Sequence, residues 1–460
     1  MKKIPNFIDS LYYRFNSEVE KKKVLDWVAE IRAKVNVSVN RTELSQLKNW
    51  HFNGDSISHV SNKFFKIIGI KVETNFGRRE IWHQPIILQP EIGILGFIVC
   101  KINNVYHFLV QAKIEPGNIN FVQLSPTIQA TRSNFTKVHG GKNPLFLDFF
   151  MDHSKARVLY DQLQSEQGSR FFKKRNRNII VEVIEDIEIP ENFKWLSLGQ
   201  LKELMKIDNL VNMDSRTVLS LIDYDSLNDP DLNISNKQLN NPFINSYKCG
   251  IEEWQNYMHW LSSLKFSYDL YVKEVSLSNL SEWYITPKAI TRKDNKYFEV
   301  IFSQIAIENR EVASWDQPLI RPIEPGIIIL ITKVVNNARY LLVQAKVESG
   351  NFDVVEIAPT IQCITGSYLK PEYEIPYFCF FENMNKYKVL VDTLQSEEGG
   401  RFFNEENRNI IIEIGEGDLT KIEDERYTWI SLRSINDFMI YNNIINIQLR
   451  SLISILDIYE

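Results

Sequence analysis

The sequence has few of the features that mark secreted, membrane-bound or nucleic-acid-binding proteins. It has four cysteines and no CxxC pair, so neither a disulfide framework nor a zinc site is expected. No apolar run is long enough for a transmembrane helix, and no apolar signal-peptide segment follows the first residues. Long basic runs are absent and the net charge is -5, which argues against a nucleic-acid partner. We therefore expect a soluble, cytoplasmic protein with no nucleic-acid or membrane partner.

What the sequence does contain is a long internal repeat. The nineteen-residue segments that begin at Gln111 and at Gln344 are identical at eleven positions. Other equivalent residues are separated by 231 to 234 positions, a period far too long for a solenoid or a propeller. Because 44% of the residues are hydrophobic, the chain can bury two cores. We predict two tandem α+β domains, residues 1–230 and residues 231–460, with mixed sheets flanked by helices.

Short β-rich runs dominate the middle of each copy, and amphipathic helix pairs end it. Paired asparagines interrupt the β-rich runs and predict two hairpin turns, at Asn103-Asn104 and at Asn336-Asn337. Helical spacing of apolar residues is seen in four segments, which are 17–36, 152–165, 198–222 and 432–458. The stretch of the second copy that matches 152–165 is also predicted to be helical. Residues 228–246 are rich in Asn, Asp and Pro and are predicted to be the linker.

Polar residues that occur in both copies cluster on one predicted strand face. Alternate residues of a strand project to the same side, so Gln111, Lys113 and Glu115 should lie together. The neighbouring segment and the duplicate positions complete this set, which also contains Asn118, Gln123, Thr127, Gln129, Gln344, Lys346, Glu348, Thr360 and Gln362. Such side chains can hydrogen-bond hydroxyl groups and a diphosphate. The alternative is a sheet face that is polar because it is exposed.

A second segment shared by both copies reads QSEQGSRFF in the first and QSEEGGRFF in the second. Its glycines permit a tight turn, which we place between a helix and a strand. Arg170 and Arg401 could each hold a phosphate or a carboxylate through two parallel hydrogen bonds. The alternative is a helix C-cap in which the arginine forms a structural ion pair with Glu166 or Glu397.

The two copies differ after their shared PTIQ motif. The first continues with ATRSNFTKVHGGKNP, which places Arg132, Lys137 and His139 beside two glycines, whereas the second has one cation in this stretch. A basic loop of this kind could bind a diphosphate and bring an imidazole near a substrate. The alternative is a solvent-exposed loop. His59 and His83 are not kept in the second copy and are weaker candidates.

At these residues the chain resembles the NDP-hexose 2,3-dehydratases of deoxysugar biosynthesis. The matching words lie in order along nearly the whole chain, and they are LKNWHF, SHVSNKFF, WHQPIILQPEIGILGF, QAKIEPGN, QLSPTIQATRSNF, VHGG, QSEQGS, QSEEGGRFF and ENRNIIIE. The resemblance implies two Nudix-like domains, a homodimer and a dTDP-linked 4-keto-6-deoxyhexose as substrate. It also implies a downstream 3-ketoreductase, and a nucleotide-sugar pocket in each half, of which one is catalytic.

The metal-binding box of the Nudix hydrolases is not retained. When its glycine is aligned with Gly168 or Gly399, only Glu166 or Glu397 remains of the three acids. Without that carboxylate cluster there is no cage for Mg²⁺, so neither a metal site nor diphosphate hydrolysis is expected. A GxGxxG dinucleotide fingerprint is also absent, and we expect no cofactor.

The reaction implied by the resemblance is a β-elimination from the 4-keto sugar that gives a 3,4-diketo-2,6-dideoxyhexose. A base removes the C3 proton and hydrogen-bond donors stabilise the enolate. We place catalysis in the first copy, with Glu115 and His139 as alternative bases and Lys113 as an enolate donor. The predicted substrate-binding residues of the two pockets are Gln111, Asn118, Thr127, Gln129, Arg132, Lys137, Arg170, Gln344, Lys346, Glu348, Thr360, Gln362 and Arg401. The alternatives are a non-catalytic nucleotide-sugar binding protein and a metal-dependent diphosphohydrolase.

Overall fold

The computed structural model describes residues 6–77, 79–132, 143–224, 226, 241–248, 254–308, 313–369, 371 and 373–459. These residues form two copies of one α+β arrangement, which confirms the predicted fold class and duplication. When strands and helices are numbered along the chain, each strand of the first copy has its counterpart twelve numbers later. Each helix has its counterpart five numbers later.

The strands and helices have the following bounds. The strands of the first copy are β1 (Val37–Arg41), β2 (Trp50–Phe52), β3 (Ser56–His59), β4 (Lys66–Thr74), β5 (Ile81–Leu88), β6 (Gly93–Ile102), β7 (Val105–Ile114), β8 (Val122–Ser125), β9 (Ile128–Ala130), β10 (Arg157–Ser165), β11 (Arg175–Glu182) and β12 (Phe193–Ser197). The strands of the second copy are β13 (Leu270–Val275), β14 (Trp283–Ile285), β15 (Ala289–Arg292), β16 (Phe298–Ile307), β17 (Ser314–Pro322), β18 (Gly326–Val335), β19 (Ala338–Lys346), β20 (Glu356–Pro359), β21 (Ile361–Cys363), β22 (Lys388–Ser396), β23 (Glu406–Ile414) and β24 (Tyr427–Ser431). The helices are α1 (Ile8–Tyr12), α2 (Glu18–Ala33), α3 (Leu147–Met151), α4 (Leu198–Met205), α5 (Met213–Leu219), α6 (Pro242–Ser246), α7 (Trp254–Ser267), α8 (Cys379–Glu382), α9 (Leu432–Met439) and α10 (Ile447–Ile455).

Each copy contains a seven-stranded mixed sheet. In the first copy the order is β10-β11-β6-β7-β12, with β8 paired to β7 and β9 paired to β6. Only the β11–β6 pair of this sheet is parallel. The second copy repeats this order with β22-β23-β18-β19-β24, β20 and β21, and again one pair, β23–β18, is parallel. Equivalent sequence positions therefore occupy equivalent places in the two sheets.

The two large sheets share one hydrophobic core. Buried residues of β6 and β7, such as Phe97 and Phe108, belong to the same cluster as Leu330 and Leu341 of β18 and β19. The terminal helix pairs α4–α5 and α9–α10 contribute to this cluster, which confirms the helix pairs predicted at the end of each copy. Within the described part of the chain, no helix is both long and apolar enough to cross a membrane.

Two local predictions are confirmed with their expected causes. Helix α2 begins after Ser17, whose side chain accepts a hydrogen bond from Glu20 N, and it buries Val24, Val28 and Ile31 at helical spacing. The hairpin turns occur between β6 and β7 and between β18 and β19. All four turn asparagines have positive φ, between 49° and 65°, as a type I′ turn requires.

The smaller sheets exchange strands between the copies. Strand β1 of the first copy pairs antiparallel with β16 of the second, from Val37 opposite Ile307 to Arg41 opposite Ser303. Strand β13 of the second copy pairs in the same way with β4 of the first. Each five-stranded sheet is therefore built from both copies. The boundary between residues 1–230 and 231–460 stays a prediction about the chain, since residues of both segments complete each small sheet.

The helix predicted over 152–165 is wrong, and so is its counterpart. Helix α3 ends at Met151, and residues 157–165 form strand β10, as residues 388–396 form β22. Apolar and long side chains in this stretch have high helix propensity. Pairing with the neighbouring strand outweighs it, because that strand is the parallel partner of the central β6.

The predicted linker, 228–246, is partly structured. Residues 227–240 lie outside the described residues, but Pro242–Ser246 form helix α6, and Phe243 and Ile244 are buried in the shared core. The Asn241 side chain caps the helix and Pro242 occupies its first turn, which is the usual place for proline in a helix. This part of the prediction is wrong because α6 is the counterpart of α1 and belongs to the second copy.

Candidate functional site

A buried carboxylate lies directly after β7 in the first copy. Glu115 accepts hydrogen bonds from Gln129 Nε2 at 2.8 Å and from Asn118 Nδ2 at 3.4 Å, and Lys113 Nζ lies 3.4 Å from its Oε1. Asn212, the N-cap of α5, donates to Gln129 Oε1 at 3.1 Å and so orients that amide. The structure therefore brings together four residues that the sequence analysis placed in one polar set. Lys113 and Glu115 supply opposite charges at this point.

The second copy repeats the arrangement around Glu348. Gln362 Nε2 donates to Glu348 Oε1 at 3.1 Å, and Asn446 donates to Gln362 Oε1 at 2.7 Å. Burial raises the pKa of Glu348, and the positive charges of Lys346 and Arg170 oppose this rise. The backbone of Gly168, a residue of the first copy, also bonds to this carboxylate.

The remaining polar residues of the two strands have more local contacts. Gln344 donates to the carbonyl oxygens of Pro359 and Thr360, at 2.9 and 3.1 Å. Gln111 lies on β7 opposite Ser125 of β8, two residues before Lys113 and on the same strand face. Strand pairing thus places the polar pattern shared by the two copies at equivalent positions of β7 and β19.

Thr127 and Thr360 are held by backbone atoms of their own sheets. The Thr127 hydroxyl accepts a hydrogen bond from Ile98 N at 2.9 Å and donates to the Leu109 carbonyl oxygen. Thr360 repeats both contacts in the second copy. Because each hydroxyl bridges two strands, both threonines stabilise the sheet, and their role in substrate binding stays a prediction.

The two arginines of the QSE segments contact the opposite copy. Arg170 Cζ lies 4.1 Å from the ring centroid of Phe298, and Arg401 Cζ lies 4.4 Å from that of Phe65. The segment joins two strands, β10 to β11 and β22 to β23, so the predicted helix-to-strand connection is wrong. The alternative predicted an ion pair between the arginine and Glu166 or Glu397. These two carboxylates instead accept hydrogen bonds from the side chains of Asn176 and Asn407 in the following strands.

A glycine in each copy allows the QSE segment of the other copy to approach. Gly117 N donates to Gly399 O at 2.8 Å, and Gly350 N donates to Gly168 O at 2.6 Å. A Cβ atom on Gly117 would lie 1.7 Å from the carbonyl oxygen of Phe402, and one on Gly350 would lie 1.8 Å from that of Phe171 in the same way. A side chain at either position would push the two copies apart at the polar strand.

A cavity of about 500 Å³ lies beside the polar strand of the second copy. Its volume is that of an ordinary small-ligand pocket, about 300–1,000 Å³. Both copies line it, and the residues that bear on ligand binding are Trp82, His83, Gln84, Arg170, Arg292, Gln344, Glu348, Thr360, Gln362 and Tyr373. Gln344, Glu348, Thr360 and Gln362 of the predicted second-copy set therefore face one concave site with the first-copy Arg170, whereas Lys346 and Arg401 do not line this cavity.

The structure places the histidine and loop candidates in different surroundings. Lys137 and His139 lie outside the described residues, and Arg132 is exposed just after β9. His83 lines the cavity, with Nδ1 2.5 Å from Ser281 Oγ. Burial, and then the charge of Lys71, lowers the pKa of His83, which favours the neutral imidazole. The sequence makes His83 a weaker candidate, because the second copy has Asp316 at this position.

Buried acids distinguish the two sites. Near Glu115, burial raises the pKa of Glu398 to about 7, with Arg401 opposing and Glu115 reinforcing the rise. Burial, with the charges of Glu166, Glu398 and Glu115, also raises the pKa of Asp214 well above its ordinary value. The positions equivalent to Glu398 and Asp214 carry amides, Gln167 and Gln448. An amide cannot exchange a proton, so only the site near Glu115 has titratable groups at these two places.

Two buried arginines behind the sites were missed by the sequence analysis. Arg216 of α5 donates to Gln395 Oε1 at 2.8 Å and to Ser396 O at 2.9 Å, both in the second copy. Arg450 of α10 donates to Gln164 in the first copy at 2.8 Å. Burial lowers the pKa of each arginine to about 10. The available signal was an arginine at equivalent positions of the last helix of each copy.

These observations define a class of protein in which two α+β copies are intertwined and each carries a buried polar site. The family model for NDP-hexose 2,3-dehydratases matches the chain twice, at residues 21–222 and at residues 254–456. The two matches correspond to the two copies of the fold. The chain belongs to this family, which confirms the resemblance seen in the sequence. The Nudix-like character of the two domains stays a prediction.

Relatives in three bacteria are similar along nearly their whole length, and each is named dTDP-4-dehydro-6-deoxy-α-D-glucopyranose 2,3-dehydratase. The relative from Saccharopolyspora spinosa is 40% identical over 455 residues, which cover 97% of this chain and 93% of the relative. Those from Amycolatopsis orientalis and Streptomyces violaceoruber are 36% and 37% identical. Each alignment covers 93% of this chain, with 88% and 95% of the respective relatives.

Proposed function

We propose that this chain removes the 2-hydroxyl group of a dTDP-linked 4-keto-6-deoxyhexose and that the Glu115 site performs the reaction. Family membership and the names of the relatives support the reaction and the substrate. The observation that carries the choice of site is the pair of buried acids near Glu115. Elimination of water needs a group that accepts a proton and a group that donates one.

In the proposed mechanism, a base removes the proton from C3, which the C4 ketone makes acidic. Glu115 is the candidate base among the described residues, and His139 is the alternative. Lys113 and Gln129, which both contact Glu115, are placed to donate to the enolate oxygen as charge develops there. Glu398 or Asp214 supplies the proton that leaves with the 2-hydroxyl group as water. The resulting enol tautomerises to the 3,4-diketo-2,6-dideoxyhexose.

The cavity of the second copy binds a nucleotide sugar without converting it in this proposal. Arg170 of the cavity wall, with the charge of Lys346 near Glu348, supplies positive charge for the diphosphate, and Gln344 and Gln362 supply hydrogen-bonding groups for the sugar. In the first copy the corresponding binding set is Arg401 with Gln111, Asn118, Thr127 and the loop residues Arg132 and Lys137. Glu348 has no titratable acid at the two places where Glu115 has Glu398 and Asp214. Its buried neighbour Glu356 accepts a hydrogen bond from Ser165 at 2.8 Å, and in this proposal it serves that contact and not proton transfer.

The proposal extends to the setting of the reaction. The product is an unstable diketone, so we expect a 3-ketoreductase to consume it directly. We also propose that the chain acts as a homodimer in the cytoplasm, and that it needs neither a metal nor a redox cofactor. Sedimentation at micromolar concentration tests the dimer, and a monomer there would contradict it.

The test of the proposed function is a coupled assay. The chain is incubated with the 4-keto sugar nucleotide, a 3-ketoreductase and NADPH, and NADPH oxidation should depend on the chain. The matched control replaces the chain with its Glu115→Gln variant at equal concentration. Intact sugar nucleotide after prolonged incubation would overturn the proposal. Release of nucleoside monophosphate only with Mg²⁺ would point to hydrolysis instead.

A further inference from the structure

A cavity of about 370 Å³ lies on the face of the first large sheet that points away from the shared core. The ends of β6 and β11 and residue Trp195 of β12 form its walls. Three carboxylates, those of Glu182, Glu185 and Asp186, line it together with the Cys100 thiol. None of these residues belongs to the dehydration site described above, so the cavity has no role in that reaction.

The second copy shows what fills the equivalent place there. Lys333 replaces Cys100, while the tryptophan is kept as Trp429 and Glu185 is kept as Glu416. The Lys333 ammonium lies 4.3 Å from the ring centroid of Trp429. Burial lowers the pKa of Lys333, and the charge of Glu416 opposes this effect. The duplicated site therefore holds an ammonium group between an indole face and a carboxylate.

In the first copy this ammonium group is missing while the rest of the site is kept. Burial, with the charge of Asp186, raises the pKa of Cys100 to about 11, so the thiol is neutral at physiological pH. Lys101 lines the cavity, but its ammonium lies over the Tyr106 ring at 4.9 Å. Among the residues that the structure describes, no Lys or Arg lies over the ring of Trp195. The indole face, Glu185 and Asp186 thus border open space, whereas Glu182 is paired with Arg157 and accepts a hydrogen bond from Tyr106.

We propose that this cavity binds an organic primary ammonium group, which takes the position that Lys333 occupies in the second copy. The Trp195 face attracts a cation through its quadrupole, and Glu185 and Asp186 supply the negative charge. A metal ion fits less well, because the described residues contain no group of three or more His, Cys, Asp or Glu arranged to hold one. A free polyamine and a lysine side chain of a partner offer the same ammonium chemistry.

The binding test uses butylammonium as the probe and butanol as its neutral match. The full chain is labelled with 5-fluorotryptophan, and the Trp195 resonance is assigned with a Trp195→Phe variant. Butylammonium should shift this resonance in a saturable manner, and butanol should not. Equal shifts with both probes, or no saturable shift with butylammonium, would overturn the proposal.

Two substitutions of Cys100 distinguish an ammonium group that occupies the cavity from a general disturbance of the cavity. Cys100→Lys should place an ammonium over Trp195, as Lys333 does over Trp429, and weaken butylammonium binding at least tenfold. Cys100→Met fills a similar volume without charge and should weaken binding less than Cys100→Lys. Unchanged binding in Cys100→Lys, with the variant folded by circular dichroism, would contradict the assignment. Turnover of the 4-keto sugar should be the same in the unsubstituted chain, in Cys100→Lys and in Cys100→Met.

The source of the ammonium is distinguished by two further titrations. Putrescine represents a free polyamine, and Nα-acetyl-lysine methylamide represents a lysine side chain. Tighter binding of putrescine than of butylammonium assigns the site to a diamine, whose two charges Glu185 and Asp186 attract. Tighter binding of the lysine derivative assigns it to a protein partner. Failure of both to displace butylammonium would show that the shift does not report this site.

Discussion

The two copies of this chain have kept their framework and changed the charges inside it. Strand order, register, hairpin turns and helix caps repeat from one copy to the other. Several buried charges do not repeat, since Lys174 corresponds to Glu405 and Asp214 corresponds to Gln448. The residues that hold the copies together and the polar residues around Glu115 and Glu348 are therefore the constant part of the molecule. The buried charged residues beside these two carboxylates are the variable part.

The constant residues are those on which the opposite copy depends. Gly117 and Gly350 each admit a loop of the other copy, and Arg216 and Arg450 each bond to its QSE segment. A change at one of these positions affects both halves of the molecule at once. The acidic residues that the structure describes near the sites do not form such reciprocal contacts between the copies. One copy could therefore lose titratable groups while the other retained them.

The largest expected effect tests which site is catalytic. Glu115→Gln should lower turnover by about 10²–10⁴-fold, because the base is removed while shape and hydrogen bonding are largely preserved. Glu348→Gln should leave turnover nearly unchanged. The coupled assay with NADPH measures both variants. Loss of turnover in Glu348→Gln alone would reverse the assignment of the two copies. Normal turnover in Glu115→Gln would favour the alternative base, His139, and the His139→Asn variant would then test it.

Removal of either buried arginine should destabilise the whole chain. Arg216→Met and Arg450→Met each leave buried acceptors of the opposite copy without a donor, and we expect a loss of about 3 kcal/mol in the free energy of unfolding. Urea titration followed by circular dichroism measures this loss. The control is Lys34→Met, which removes an exposed ion pair with Glu191. Similar stability of all three variants would show that the copies are not coupled through these arginines.

The pH dependence of stability should reveal a buried acid, Glu405, whose equivalent in the first copy is Lys174. Burial raises the pKa of Glu405 to about 7 from its ordinary 4.5, with Arg170 opposing the rise. Between these values the unfolded chain has released this proton and the folded chain has not, so Glu405 lowers stability as the pH rises through this window. Glu405→Gln should therefore raise the melting temperature more above pH 7 than at pH 4.5. The exposed Glu30→Gln serves as the control, and parallel curves for the two variants would contradict the expectation.

The smallest expected effect concerns a pair of surface contacts that both copies keep. Arg177 and Arg408 each form a two-point contact with an aspartate, Asp161 and Asp392, with Nη2–Oδ2 distances of 2.6 Å. Partly exposed ion pairs contribute about 1 kcal/mol or less. Asp161→Asn and Asp392→Asn should therefore each cost less than about 1 kcal/mol and cost the same amount. A clear difference in urea midpoint between them would show that the outer strands have also diverged.

Much of the site could be predicted because it depends on local spacing. The alternation of Lys113 and Glu115 fixes a shared strand face. The PTIQ motif carries Gln129, which lies on β9 beside β6 and donates to Glu115. The prediction of a helix over 152–165 was wrong, because helix propensity contains no information about which strand will pair with this segment. The partners of Arg170 could not be predicted either, since Phe298 lies in the other copy and far away in the sequence.

The sequence by itself determined the duplication, the hairpins, the helix pair at the end of each copy, the family and the polar residues of each site. These follow from spacing and residue type over short distances. The tertiary structure decided that the copies exchange β1 and β13, that each QSE segment serves the opposite copy, and that Asp214 and Glu398 lie near Glu115. Their physical cause is burial between two halves of one chain, because desolvation and charge pairing there depend on residues that lie far apart in the sequence.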